Sequence, residues 1–100
     1  MNVTIANEGG KVISAVNGRV DTTNAADFQE QVKPLMELQN PNIEMDCSGL
    51  EYTSSQGLRV FLMLQKAVSA KGGKLVLLNM QPQVKEVFDI TGFSNIISIL

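Results

Sequence analysis

Residues 54–80 constrain the fold most. "SSQGLRVFLMLQKAVSA" carries apolar residues at helical spacing, and Gly72-Gly73 closes the segment. "KLVLLNM" follows at once as a near-continuous apolar run, which suits a strand covered on both faces. Pro82 then sits where a helix running to about Ile90 would begin. Helix, apolar strand and helix in immediate succession require a sheet with parallel members, because a strand left and re-entered through a helix runs parallel to its neighbour.

The flanking segments extend this pattern. "NVTIA" alternates with period two and reads as a strand. Gly9 and Gly10 in "NEGG" tolerate positive φ, so "KVISAVNG" reads as the second strand of a hairpin. "RVDTTNAADFQEQVKPLMELQ" starts as a polar turn and becomes helical, with Asn24 as N-cap, Asp27 at the positive end of the helix dipole, and Phe28, Val32 and Leu35 as the apolar stripe. Pro34 predicts a kink or a weakened last turn. "IEMDC" alternates as a strand, "SGLEYTSS" reads as a loop, and "NIISIL" is the final strand. The predicted order is β-β-α-β-α-β-α-β, an α/β domain over residues 1–100 with a mixed four-to-five-stranded sheet and helices packed on it.

Charge and residue content exclude several functions. The net charge is −2 and no basic stripe is present, so nucleic acid has no electrostatic foothold. Histidine is absent, which removes Ser-His and Cys-His catalysis and histidine metal ligands. Cys47 is the only cysteine, so no internal disulfide or thiolate zinc site forms; its apolar setting points to a buried thiol in a reducing compartment. No acidic loop has the spacing of a calcium loop. The N-terminus lacks the basic start and apolar core of a secretory signal, and "VFLML" is far too short to span a membrane. The expectation is a cytoplasmic protein with no cofactor, no metal and no catalytic residue.

The adjacent hydroxyls of Ser54 and Ser55 open the helix. With Gly57 at zero and 100° per residue, Leu58, Val60, Phe61, Leu64, Ala67 and Val68 share one broad arc that should face the sheet. Arg59 and Lys66 fall opposite. Ser54 lands at about 60°, inside the arc, and Ser55 at about 160°, outside it and beside Arg59. Met63 falls at the arc's edge, as core margin or partner contact. Two readings of the serines stand at this point. Both cap the helix, since serine is a preferred N-cap. Alternatively, an outward hydroxyl at a helix N-terminus takes a phosphate, which the free N–H groups and the dipole favour, with Arg59 one turn along to meet it.

"DCSGLEYTSSQGL" resembles the signature of bacterial anti-sigma factor antagonists of the STAS domain family, an apolar strand followed by "DLSxVxFMDSSGLG" and a helix. Asp46, Ser48, Tyr52, Ser55, Gly57 and Leu58 fall on matching positions without a gap. "NGRVDTTNA" resembles the family's "xGxLDxxTA", and "AKGGKLVLLNMQPQVKEVFDITGFSNII" its "xxGGxLxLxxxxPxVxxxFxxxGLxxxI". The resemblance covers nearly the whole chain. It implies that Ser55 is the phosphorylation site of a GHKL-type serine kinase that is itself an anti-sigma factor. The unphosphorylated protein would sequester that kinase and release it once phosphorylated, and a PP2C-type phosphatase would reverse the state. Asp21, Thr22, Ser54, Gln56, Gly57 and Arg59 are the expected partner-binding residues around it. Two departures stand out: the family's aspartate before the acceptor is Ser54, and Gln56 follows it. The family's C-terminal helix is not expected, since the sequence stops at Leu100.

Two other functions compete. A STAS module that is never phosphorylated, serving in a transporter or scaffold assembly, fits the altered "SSQ" core. An enzyme with Ser54 or Ser55 as nucleophile lacks a base, because Lys66 lies about three turns down the helix.

Overall fold

Strand β1 (Asn2–Glu8) and strand β2 (Lys11–Val20) form the opening hairpin of the computed structural model, which describes residues 1–100. Asn2 pairs with Asn17 and Glu8 with Lys11, leaving Gly9 and Gly10 as a two-residue turn at φ +55° and +87°. That backbone suits the twist of a tight hairpin and favours glycine. The remaining strands are β3 (Asn42–Asp46), β4 (Leu50–Thr53), β5 (Lys74–Leu78) and β6 (Ser98–Ile99). The helices are α1 (Ala25–Met36), α2 (Ser55–Ala70) and α3 (Pro82–Ile90).

The sheet order is β1-β2-β3-β5-β6, with β4 also pairing β2. β1 and β2 are antiparallel and every other pair is parallel. β2 therefore serves two partners in turn: its first half pairs β3 through Val12 to Ala15, and its last residues pair β4 through Gly18 to Val20. Each helix starts directly after a strand, so all three N-termini lie at the carboxyl end of the parallel strands.

One core fills the space between helices and sheet. Val12, Val16, Ile43, Met45, Leu75 and Leu77 supply the sheet side; Phe28, Leu35, Phe61, Leu64, Val84 and Phe88 supply the helices. Phe61 of α2 links all three helices. Its ring lies 5.1 Å from Phe28 of α1 and 5.3 Å from Phe88 of α3, tilted and edge-on, the arrangement that aromatic quadrupoles favour.

Four sequence expectations are corrected. "SGLEYTSS" is not all loop, because Leu50–Thr53 forms β4, a sixth strand. β2 does not stop at Gly18 but runs on to Val20. β5 is covered on one face only: Leu75 and Leu77 are buried while Val76 and Leu78 are half-exposed. α1 contains Pro34, where a kink or a weakened last turn was expected, and ends two residues later at Met36. The final strand narrows to Ser98–Ile99, preceded by one 3₁₀ turn at Phe93–Asn95. No helix is long and apolar enough to cross a membrane.

Two outcomes test this packing. Phe61→Ala should lower the unfolding free energy by about 3–5 kcal/mol in a denaturant titration, because it opens a cavity between three helices; a loss below about 1 kcal/mol would contradict the shared core. The Cys47 thiol is pushed up to about 12 from its ordinary 9.0, chiefly by burial and then by the Asp46 carboxylate. A raised folded value means that its contribution to stability is intact below pH 9 and lost as pH climbs towards 12. Native protein at pH 8 should therefore resist a thiol-colouring reagent until unfolded, and rapid labelling would contradict the burial.

Candidate functional site

The site grows from the junction of β2, β4 and α2. Val20 pairs with Thr53, and the Ser54 amide donates to the Val20 carbonyl at 2.8 Å. The start of α2 is thus bonded directly to the end of β2. Ser54 is the N-cap: its backbone is extended, and its Oγ accepts from the Gly57 amide at 3.2 Å. Gly57 must be small here. A Cβ at that position would run into Thr53 Oγ1 and Val20 Cγ1, so a larger residue would push the helix start off the strand.

The two serines separate as their helical angles predict. Ser54 is buried, 9% exposed. Ser55, the first residue of α2, is exposed, and its Oγ donates only to its neighbour, Gln56 Oε1, at 3.2 Å. Helix capping therefore falls to Ser54, and the Ser55 hydroxyl is not needed to build the helix.

The loop after Val20 lies beside this junction. Asp21 accepts from the Thr23 amide and hydroxyl, and these bonds, the hydroxyl's foremost, hold its carboxyl below the usual carboxylate range. The group stays ionised near the helix start. Thr22 is exposed. Asn24 precedes α1 but does not cap it with its side chain. Its Oδ1 accepts from the Asp21 amide and its Nδ2 donates to the Arg19 carbonyl, both at 2.9 Å, so it stitches the turn closed instead. Arg59 is exposed one helical turn beyond Ser55 and makes no ion pair within the chain.

Of the residues expected to meet a partner, Gln56 and Arg59 are exposed on the first turns of α2, and Asp21 and Thr22 follow Val20, the residue bonded to Ser54. Ser54 and Gly57 face inward and act by holding the junction. Met63 is half-buried at the edge of the inner face of α2.

The sequence placed Tyr52 only as a motif match and did not single out Arg19. They lie opposite each other on β2 and β4, and the Arg19 guanidinium sits 4.5 Å from the centre of the Tyr52 ring. An exposed pair of this kind contributes about 0.5–1 kcal/mol. A β-forming tyrosine in "LEYT" next to a glycine-interrupted strand was the available signal. A second polar cluster, at the ends of β3 and β5, joins Asp46 Oδ1 to the Ser48 amide and Asn79 Nδ2, with Gln81 Nε2 on the Ser48 carbonyl. These bonds bind the two loops to each other.

The capping assignment predicts unequal costs. Ser54→Ala should lose about 1 kcal/mol of unfolding free energy, while Ser55→Ala stays within about 0.5 kcal/mol. Gly57→Ala should lose roughly 1–3 kcal/mol through overpacking. Denaturant titrations read all three, and a larger loss for Ser55→Ala than for Ser54→Ala would overturn the assignment.

A family model described as the STAS domain matches residues 2–100. BtrV of Bordetella bronchiseptica, which carries the provisional name of anti-sigma factor antagonist, is 32% identical over 99% of this chain and 85% of its own length. The anti-sigma-B factor antagonist of Bacillus subtilis is 31% identical over 99% of this chain and 90% of its own length. The solved structure of an anti-sigma-factor antagonist (STAS) domain protein from Planctomyces limnophilus shares the fold, with TM-score 0.87 and 15% identity over 99% of this chain and 89% of that one.

Proposed function

We propose, from the premise that this chain belongs to the STAS domain family, that it is an anti-sigma factor antagonist switched by phosphorylation of Ser55. In this reading it is a binding protein rather than an enzyme. Unphosphorylated, it sequesters a GHKL-type serine kinase that is also an anti-sigma factor; phosphorylated, it lets that kinase go. A PP2C-type phosphatase hydrolyses the phosphoserine and resets it. The work takes place in the cytoplasm.

The observation that carries the reading is the division of labour between the serines. Ser54 caps α2 from a buried position, so the exposed Ser55 hydroxyl is free to be modified without loss of the helix. In the transfer step the Ser55 Oγ attacks the γ-phosphorus of ATP, the bond to the β-phosphate oxygen breaks, ADP leaves, and the hydroxyl proton passes to a base of the kinase. The product adds about −1.5 to −2 charges at the start of α2. The helix dipole and the free N–H groups favour an anion there, so the antagonist itself keeps its fold. The partner surface meets a different situation. A near-dianion at the start of α2, on the same junction as the ionised Asp21, changes the charge that the kinase meets, and a like charge set against it in a desolvated interface costs several kcal/mol.

The test is capture from a lysate of the source organism with ADP and Mg²⁺ present, using wild type, Ser55→Ala and Ser55→Asp as baits and mass spectrometry as readout. Wild type and Ser55→Ala should retain the same serine kinase, and Ser55→Asp should lose it by about a hundredfold. The same partners on all three baits would instead assign the chain to a constitutive scaffold or transporter assembly.

A further inference from the structure

Strand β4 carries one residue more than β2 requires. Gly18 pairs with Leu50 and Arg19 with Tyr52, so Glu51 is skipped as a bulge. The bulge changes which side chains face inward. In a regular strand, Leu50 and Tyr52 would share a face, and Leu50 is completely buried. With one residue inserted, Thr53 takes the inward place at 4% exposure and Tyr52 turns out to solvent at 40%. Bulges re-aim side chains in this way beside functional sites. Gly18 fits the same distortion from the other strand, at φ +96°, a conformation that favours glycine.

The result is a large aromatic ring held in the open. Arg19 is stacked on it at 4.5 Å, and the guanidinium makes no hydrogen bond or ion pair within the chain. Its N–H donors have no hydrogen-bond partner, although the nearby Asp21 carboxylate attracts the charge, and the tyrosine hydroxyl is likewise without one. The fold gains little from exposing such a residue. Tyrosine and arginine are among the residue types that most often dominate protein interfaces, tyrosine through a large rigid ring and arginine through a planar fork of donors. The pair also continues the surface already described. Val20 follows Arg19 and bonds to Ser54, and Tyr52 lies three residues before Ser55.

We infer that Tyr52 and Arg19 form a docking anchor for the kinase, separate from the hydroxyl that it phosphorylates. The anchor fits a kinase surface that presents a carboxylate to the guanidinium edge and an apolar side chain to the ring. This inference rests on the functional reading given above. It adds that affinity for the kinase comes largely from the β2–β4 rim, while the state of Ser55 decides whether that affinity is used. The anchor therefore acts on recognition and not on phosphoryl transfer.

The probe is the purified kinase recovered with the Ser55→Ala bait. Its binding is measured by calorimetry with ADP and Mg²⁺, and its phosphorylation of the antagonist by steady-state kinetics. Tyr52→Ala should raise both Kd and KM tenfold or more, on the order expected of an interface hot spot, with kcat unchanged. Tyr52→Phe keeps the ring and should stay within about twofold of wild type. Arg19→Ala should raise Kd several-fold while lowering the unfolding free energy by no more than about 1 kcal/mol, which keeps the test open if Tyr52→Ala folds poorly. Wild-type Kd and KM for both Ala variants, with Ser55→Asp still binding weakly, would overturn the anchor and leave the switch standing. If Ser55→Asp also binds as wild type, or no kinase is captured at all, the functional reading falls and the anchor with it.

Discussion

The hydrogen bond from the Ser54 amide to the Val20 carbonyl is the constraint on which the site depends. It joins the first residue before α2 to the last residue of β2, and three features follow from it. Gly57 has to be small, because the helix start is pressed against Val20 and Thr53. Ser54 is turned inward, where its hydroxyl caps the helix. Ser55 is then carried outward by the next 100° of helical rotation. Local chemistry and tertiary contact agree at this point, so the exposed hydroxyl sits on a rigid support instead of a mobile loop.

The proposed switch rests on the electrostatics of a helix N-terminus. A phosphate at the start of α2 is welcome to the helix and unwelcome to an anionic partner surface. In the proposed reading, the same charge that leaves the antagonist folded would weaken its complex. The departures from the usual family motif bear on this balance. With Ser54 in place of the aspartate, no carboxylate abuts the acceptor from the preceding position, and the ionised carboxylate on the adjoining loop is Asp21, held so by Thr23. On the proposed reading, the repulsion felt by a partner would come from the phosphate and Asp21 together.

Much of this was legible in the sequence, for physical reasons that differ by element. α2 declares itself through a long apolar arc bounded by serine and a glycine pair, and the hairpin through two adjacent glycines. The outward direction of Ser55 follows from helical geometry alone. β4 was not legible, because its four residues show the pattern buried, exposed, exposed, buried. The bulge at Glu51 breaks the alternation that a strand is recognised by, and it also hid the outward turn of Tyr52. The second face of β5 was misread because an apolar run reports hydrophobicity and not what covers it. Asn24 had the right residue type for a cap, but the neighbouring Asp21 amide and Arg19 carbonyl claimed its side chain first.

The most direct test of the account is to locate the phosphate. The purified antagonist is incubated with its captured kinase and Mg-ATP, and fragmentation mass spectrometry identifies the modified residue. The account predicts one phosphate per chain, on Ser55, and loss of the ADP-dependent complex in step with its appearance. A phosphate on Ser54 or elsewhere, or a complex that survives full modification of Ser55, would contradict it.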